Sequence, residues 1–276
     1  MLEKTSPDTR LDQSLARPTA AIDPIAMARR DLNKVLPRRF YKEVTVQQRD
    51  GACLLLLDGR AAESPGGNRL TLPCLAAARA LADEWSAQTE FIDLASMPLT
   101  RIVNSAIDGV ACQLEATVDE IARYAGADLV CYRAPEPEAL TLAQATAWDP
   151  ILVFARKKLG AHFICTESVV FFEQPEPARA AVKEAIAHIA NSGQGAPFAL
   201  AALHVMTTLT GSVLLVLAVA YRELTPTEAW IAAHVDEDFA MRDWGEDADA
   251  LQRRARQWRE MEAAARLFHA VHGAGA

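Results

Sequence analysis

The stretch Pro197–Tyr221, PFALAALHVMTTLTGSVLLVLAVAY, contains no Lys, Arg, Asp or Glu. A run of this length reaches the roughly 18–20 residues needed to cross a bilayer, so its reading decides between a membrane fold and a water-exposed one. It carries His204, Thr207, Thr208, Thr210 and Ser212, polar groups that are better satisfied against protein than against lipid. No cluster of Lys and Arg flanks it to set an orientation, and a strongly charged segment, Asp236–Glu262, follows. The run is therefore read as a helix buried on all sides within a helical region. A membrane anchor is the alternative.

Around that run the composition is ordinary for a globular chain. The 276 residues are 51% hydrophobic and 23% charged, enough to bury a sizeable core without covalent staples. A net charge of −8 and an isoelectric point near 5.3 argue against a nucleic-acid binder that neutralises phosphates. The five cysteines, Cys53, Cys74, Cys112, Cys131 and Cys165, form no C-x-x-C pair. They read as small buried hydrophobes in a reducing compartment. The N-terminus lacks the apolar core of a signal peptide, and Glu3, Asp8, Asp12 and Asp23 do not suit a mitochondrial import segment. A bacterial cytosol is the expected location, ahead of a mitochondrial matrix. Residues 1–30 read as a polar tail broken by Pro7, Pro18 and Pro24.

The architecture expected is α+β, with a small antiparallel β-rich part at 31–98 followed by a larger helical part at 99–276. Asp50-Gly51, Asp58-Gly59 and Gly66-Gly67 place three tight turns between short runs of alternating character. After Pro73 the period becomes helical, with Leu75, Ala78, Leu81, Ala82 and Trp85 on one face. Further helical patterns run through Ile102–Ile107, Val118–Tyr124 and Leu140–Leu159, the last with a kink or boundary at Asp149-Pro150. Leu129–Tyr132 reads as a strand or a linker, and the β-rich His162–Phe172 as a returning strand or a lone hairpin. Thr225-Pro226-Thr227-Glu228 is a capping box opening a helix through Trp230, Ala233 and Val235, which Trp244-Gly245 closes. The last helix is Ala248 to about His272. No internal repeat is evident.

Catalytic patterns are sparse. There is no phosphate-binding loop with a lysine, and Gly193-Gln194-Gly195 reads as a plain loop. His162 with Cys165, and His269 with His272, have metal-ligand spacing but lack a second pair of ligands. His204 reads as a hydrogen-bonded core histidine. Its alternative is a small-molecule hydrolase in which it acts with distant carboxylates. The acidic stretch Asp236, Glu237, Asp238, Asp243, Glu246, Asp247, Asp249 reads either as a solvated helix face or as a charged contact surface. Trp230 and Trp244 bracket it; Trp is enriched at interface hot spots, and the same two residues could instead wedge the last two helices together.

Several motifs match one family in order. They are RRFYKEVTV (Arg38–Val46), LDGRAAESPGGNRLTLP (Leu57–Pro73), LADEWSAQ (Leu81–Gln88), MPLTRIVNSAID (Met97–Asp108), LVCYRAPEPEAL (Leu129–Leu140) and QATAWDP (Gln144–Pro150). LHVMTTLTGSVLLVLAVA (Leu203–Ala220) and EAWIAAHVDEDFAMRDWGED (Glu228–Asp247) complete the set. From Arg38 to Arg259 the chain resembles the assembly chaperones of the ATP synthase alpha subunit, of the alphaproteobacterial and mitochondrial type. The resemblance implies a non-enzymatic holder of the free alpha subunit of the F-type ATPase head, without cofactor, metal, nucleic acid or membrane insertion. It also implies that Glu237, Asp243 and Trp244 contact the client. Ser64 and Ala240 depart from the Thr and Gln usual in that family. Nothing demands a second copy, so a monomer is expected.

Overall fold

A computed structural model describes residues 36–167, 170–244 and 247–272, with the side chains of Asp243 and Trp244 excepted. The polar tail expected at 1–30 and the helix stop expected at Gly245 lie outside the described residues. The fold is a small antiparallel sheet followed by a larger helical region, as the turn and period signals predict.

Strand β1 (Val44–Arg49) pairs antiparallel with β2 (Ala52–Leu57), with Val44 opposite Leu57 and Val46 opposite Leu55. The turn between them holds Asp50 at φ 51° and Gly51 at φ 79°. Two successive positive φ values give the turn type that matches strand twist, and Asp-Gly adopts it at low cost. Strands β3 (Arg60–Ala61) and β4 (Thr71–Leu72) both pair with β2. The alternation along β2 buries Cys53, Leu55 and Leu57 on one face, against Ala78, Leu81 and Trp85 of helix α1 (Leu75–Ser86).

Two buried or linked carboxylates lock this part to helix α2 (Pro98–Asp108). Glu84 accepts the N–H groups of Leu99 and Thr100, each at 2.8 Å. It thereby satisfies orphan donors at the helix start. Asp108, at the other end of α2, accepts from Asn68 Nδ2 at 2.8 Å and Gly66 N at 2.9 Å, and from the Ser64 hydroxyl. A Cβ at Gly66 would stand 2.7 Å from the Asp108 carboxyl carbon, so this approach requires glycine.

Helices α3 (Leu114–Ala122), α4 (Glu138–Phe154), α5 (Glu176–Ala190), α6 (Ala196–Thr210), α7 (Val213–Ala220), α8 (Pro226–Ala233), α9 (Val235–Trp244) and α10 (Ala248–His272) build the rest. Helix α6 is central, lying along α10 and touching α2, α3 and α5. Pro150 stands inside α4 without ending it; a π turn, Ala155–Leu159, follows and closes at Gly160.

The apolar run is two helices rather than one. Gly211 takes φ 65°, the left-handed conformation that ends a helix. Ser212 then caps α7, its hydroxyl accepting from Leu215 N at 3.1 Å. The decisive partner is remote in sequence. Asp128, with 0% exposure, accepts from Val130 N at 3.2 Å and from Leu214 N at 3.0 Å. Every residue of α7 from Val213 to Val219 is buried. Among the described residues no helix is long and apolar enough to cross a membrane.

Three other expectations change. Leu129–Cys131 is a 3-10 turn, held because Asp128 caps it and Leu129 N donates to Gly211 O at 3.2 Å. His162–Phe172 forms no strand among its described residues, despite its β-rich composition. The Gln174 amide occupies the ladder position instead, donating to Ile164 O at 2.8 Å and accepting from Ile164 N at 2.9 Å. The cysteines are not uniformly interior: Cys53 and Cys131 are buried, Cys74 half-buried, and Cys112 and Cys165 exposed.

Candidate functional site

The acidic stretch occupies the corner made by α8, α9 and the first half of α10. The capping box sets its angle of entry. Thr225 Oγ1 accepts from Glu228 N at 3.2 Å, and Glu228 Oε2 accepts from Thr225 N at 2.8 Å. Those bonds hold the Glu228 carboxyl below the usual carboxylate range. Helix α8 stops at His234, one residue before α9 begins. It thus ends earlier than the expected run through Val235. His234 Nδ1 lies 2.7 Å from Trp230 O, and its ring sits 4.0 Å from the Trp230 ring.

Trp230 is 6% exposed, and its ring meets Trp258 of α10 at 5.7 Å. The structure thus places Trp230 beneath the corner, wedging α8 against α10, and not on its outer face. Trp148 of α4 adds a second tie, its indole N–H donating to Ala232 O at 2.7 Å. Both tryptophans fix the frame on which the acidic residues stand.

The carboxylates then divide. Asp238 forms a double hydrogen bond with Arg254, one arm at 3.1 Å. The bond and charge of Asp238 hold the Arg254 guanidinium above its ordinary range. Asp236 accepts from Gln144 Nε2 at 2.7 Å, and the same Gln144 accepts from Ala134 N at 2.8 Å. Glu237 is left outward, 70% exposed at its side chain, with His234 Nε2 3.9 Å away. The side chains of Asp243 and Trp244 lie outside the described residues. An anchored frame that turns free negative charge to solvent suits a contact with a basic surface.

His204 does not join this corner. It is a partly exposed residue of α6 rather than a core one, its Nε2 3.5 Å from Glu120 Oε1 of α3. That pair borders a groove between α3 and α5, where Lys183 and Asp119 meet at 2.6 Å and Phe171 stands at the rim. Among the described residues no three His, Cys, Asp or Glu side chains cluster to hold a metal ion. The hydrolase alternative therefore lacks a shared site for His204 and the acidic block.

The contacts of Gln144 and of Arg254, one of the basic residues of the last helix with Arg253, Arg256 and Arg259, are not visible in the sequence. Gln144 sits in the QATAWDP motif four residues before Trp148, a helical spacing that puts both on one face of α4. Arg254 lies in a basic run whose partner, Asp238, is on another helix.

Residues 38–156 match the family model described as ATP12 chaperone protein. The crystal structure of the Agrobacterium tumefaciens protein Atu1473 is similar at 44% identity and a TM-score of 0.81, covering 91% of this chain and 92% of that one. Atp12 from Paracoccus denitrificans is similar at 37% identity and a TM-score of 0.77, covering 85% of this chain and 98% of that one. A point mutant of the Paracoccus protein matches over the same shares at 36% identity.

Proposed function

Because the chain belongs to the ATP12 chaperone family, we propose that it assists ATP synthase assembly by holding the unassembled alpha subunit of the catalytic head. It shields that subunit from aggregation until the beta subunit arrives. A lone alpha subunit leaves bare the apolar surface its neighbour would cover, and such surface drives association. The observation that carries the reading is likeness spread along nearly the whole length, 44% identity over 91% of the chain. The outward Glu237 on its braced corner supports a contact by charge and area rather than by one pocket. Glu237, Asp243 and Trp244 are read as client-facing, with Trp230 acting from beneath. No turnover is part of this role. The bacterial cytosol, where such heads are put together, is the compartment it fits.

Co-expression tests the proposal. With this chain present, the soluble fraction of the alpha subunit should rise several-fold, and the two should elute together. An alpha subunit equally insoluble with and without the chain overturns it.

A further inference from the structure

The thiols differ sharply in access and in neighbours. Cys165 is exposed and Cys131 buried, yet they flank the same backbone bridge. Thr166 pairs with Tyr132 in parallel; Thr166 N donates to Cys131 O at 2.9 Å and Arg133 N to Thr166 O at 2.8 Å. The Thr166 N–Cys131 O bond sets the peptide between Cys165 and Thr166 against the Cys131 carbonyl, so the two cysteine backbones are neighbours although Cys131 closes a 3-10 turn. Backbones bridged in this way run about 5 Å apart, within the roughly 4.4–6.8 Å Cα separation that a disulfide spans.

The other cysteines lack this combination. Cys53 and Cys74 also influence one another, but Cys53 is buried, Cys74 only half-exposed, and the Cys74 thiol already donates to Ala270 O at 3.3 Å. Cys112 is exposed, in a turn that no bridge joins to a cysteine-bearing segment among the described residues.

We propose that Cys131 and Cys165 are an oxidation site that closes to a disulfide under peroxide. The bond staples the start of the segment carrying Ile164, Phe171 and Phe172 to the helical body. The exposed Cys165 thiolate attacks peroxide; the O–O bond breaks, giving Cys165 sulfenic acid and hydroxide. The Cys131 sulfur then attacks the sulfenic sulfur; the S–O bond breaks and the S–S bond forms. The departing hydroxide takes the Cys131 proton as water. Two thiols lose two electrons and one hydrogen peroxide becomes two waters.

Burial, with smaller additions from Asp128 and Cys165 and against the Arg133 charge, pushes the Cys131 thiol well above its ordinary value, so Cys131 is the resolving thiol and not the one that meets peroxide first. The inference is independent of the client-holding reading. Ile164, Phe171 and Phe172 are 46%, 67% and 39% exposed, so the staple adds a covalent anchor to a stretch that carries exposed apolar surface.

The experiment uses the purified full chain in native buffer, treated with a small excess of hydrogen peroxide. It is then alkylated under denaturation and mapped without reduction. The expected result is a monomer lighter by two hydrogens, about 2 Da, with a Cys131–Cys165 linked peptide that dithiothreitol removes. Cys165→Ser should abolish the link and Cys112→Ser should leave it intact. Cys165 recovered as sulfinic acid, or joined to a second molecule, with Cys131 still open to alkylation, overturns the proposal.

Discussion

At the start of α7, Asp128 is wholly enclosed and its oxygens accept backbone N–H groups from Val130 and Leu214. At the start of α9, Asp236 and Glu237 also stand where a helix dipole favours negative charge. There, Glu237 points to solvent and only Asp236 is held, by Gln144. The same chemical group at equivalent helix positions thus takes opposite roles. Enclosed, a carboxylate serves as an internal cap and its desolvation cost is set against several donors. Exposed, it costs little and stays available to a partner. The contrast separates the part of the molecule that carries stability from the part proposed to carry recognition.

The largest effect should come from the enclosed side. Leu217 in α7 has 0% exposure, so Leu217→Ala should lower stability by about 2–5 kcal/mol, read as a fall in the urea midpoint. A loss under about 1 kcal/mol would mean the interior around α7 is loosely packed, and the comparison would fail.

Asp128 gives the next test, through pH. Burial raises its carboxyl from 3.8 to about 6, overcoming the donors around it. A raised folded value means its favourable contribution is complete below 3.8 and is lost as pH climbs through about 6. The stability of the parent chain relative to Asp128→Asn should therefore decline between pH 4 and pH 7, by up to about 3 kcal/mol. A gap between the two proteins that stays flat across that range would show an ordinary carboxyl.

On the exposed side the effects shrink. Gln144→Ala removes the donor to Asp236 and orphans Ala134 N, which should cost about 1–2 kcal/mol in thermal or urea unfolding. Glu237→Lys should change stability by no more than about 0.5 kcal/mol while weakening alpha-subunit capture in co-elution. A melting temperature lowered by many degrees would move Glu237 into the structural class and remove the distinction drawn above.

What the residues announce in advance follows the range of the forces involved. Asp50-Gly51 and the Thr225–Glu228 capping box are settled within four residues, and both stand as read. The run from Pro197 to Tyr221 was correctly buried but wrongly continuous. Its break is made by Gly211 and the Ser212 cap, a local stop and start; the buried partner Asp128 lies 86 positions before Leu214, and no local pattern reveals it. His162–Phe172 has strand composition, yet a glutamine side chain fills the place of a neighbouring strand. For the candidate site, the acidic residues were visible, whereas their sorting was not. Asp238 is neutralised by Arg254 and Asp236 is braced from α4, both across helices. Of the two readings of Trp230, interface hot spot or wedge between helices, its burial against Trp258 favours the wedge.

Because α10 follows α6 in sequence and lies along it, the interior around α6 cannot close until α10 has been made. During synthesis Asp128 emerges 86 residues ahead of Leu214, so the cap is waiting when α7 appears and that junction can close early. The face of α6 that packs on α10 must wait for that helix. The chain is thus itself exposed to aggregation until α10 is in place. Truncations that remove α10 should be degraded or insoluble long before any defect in guarding another subunit can be seen.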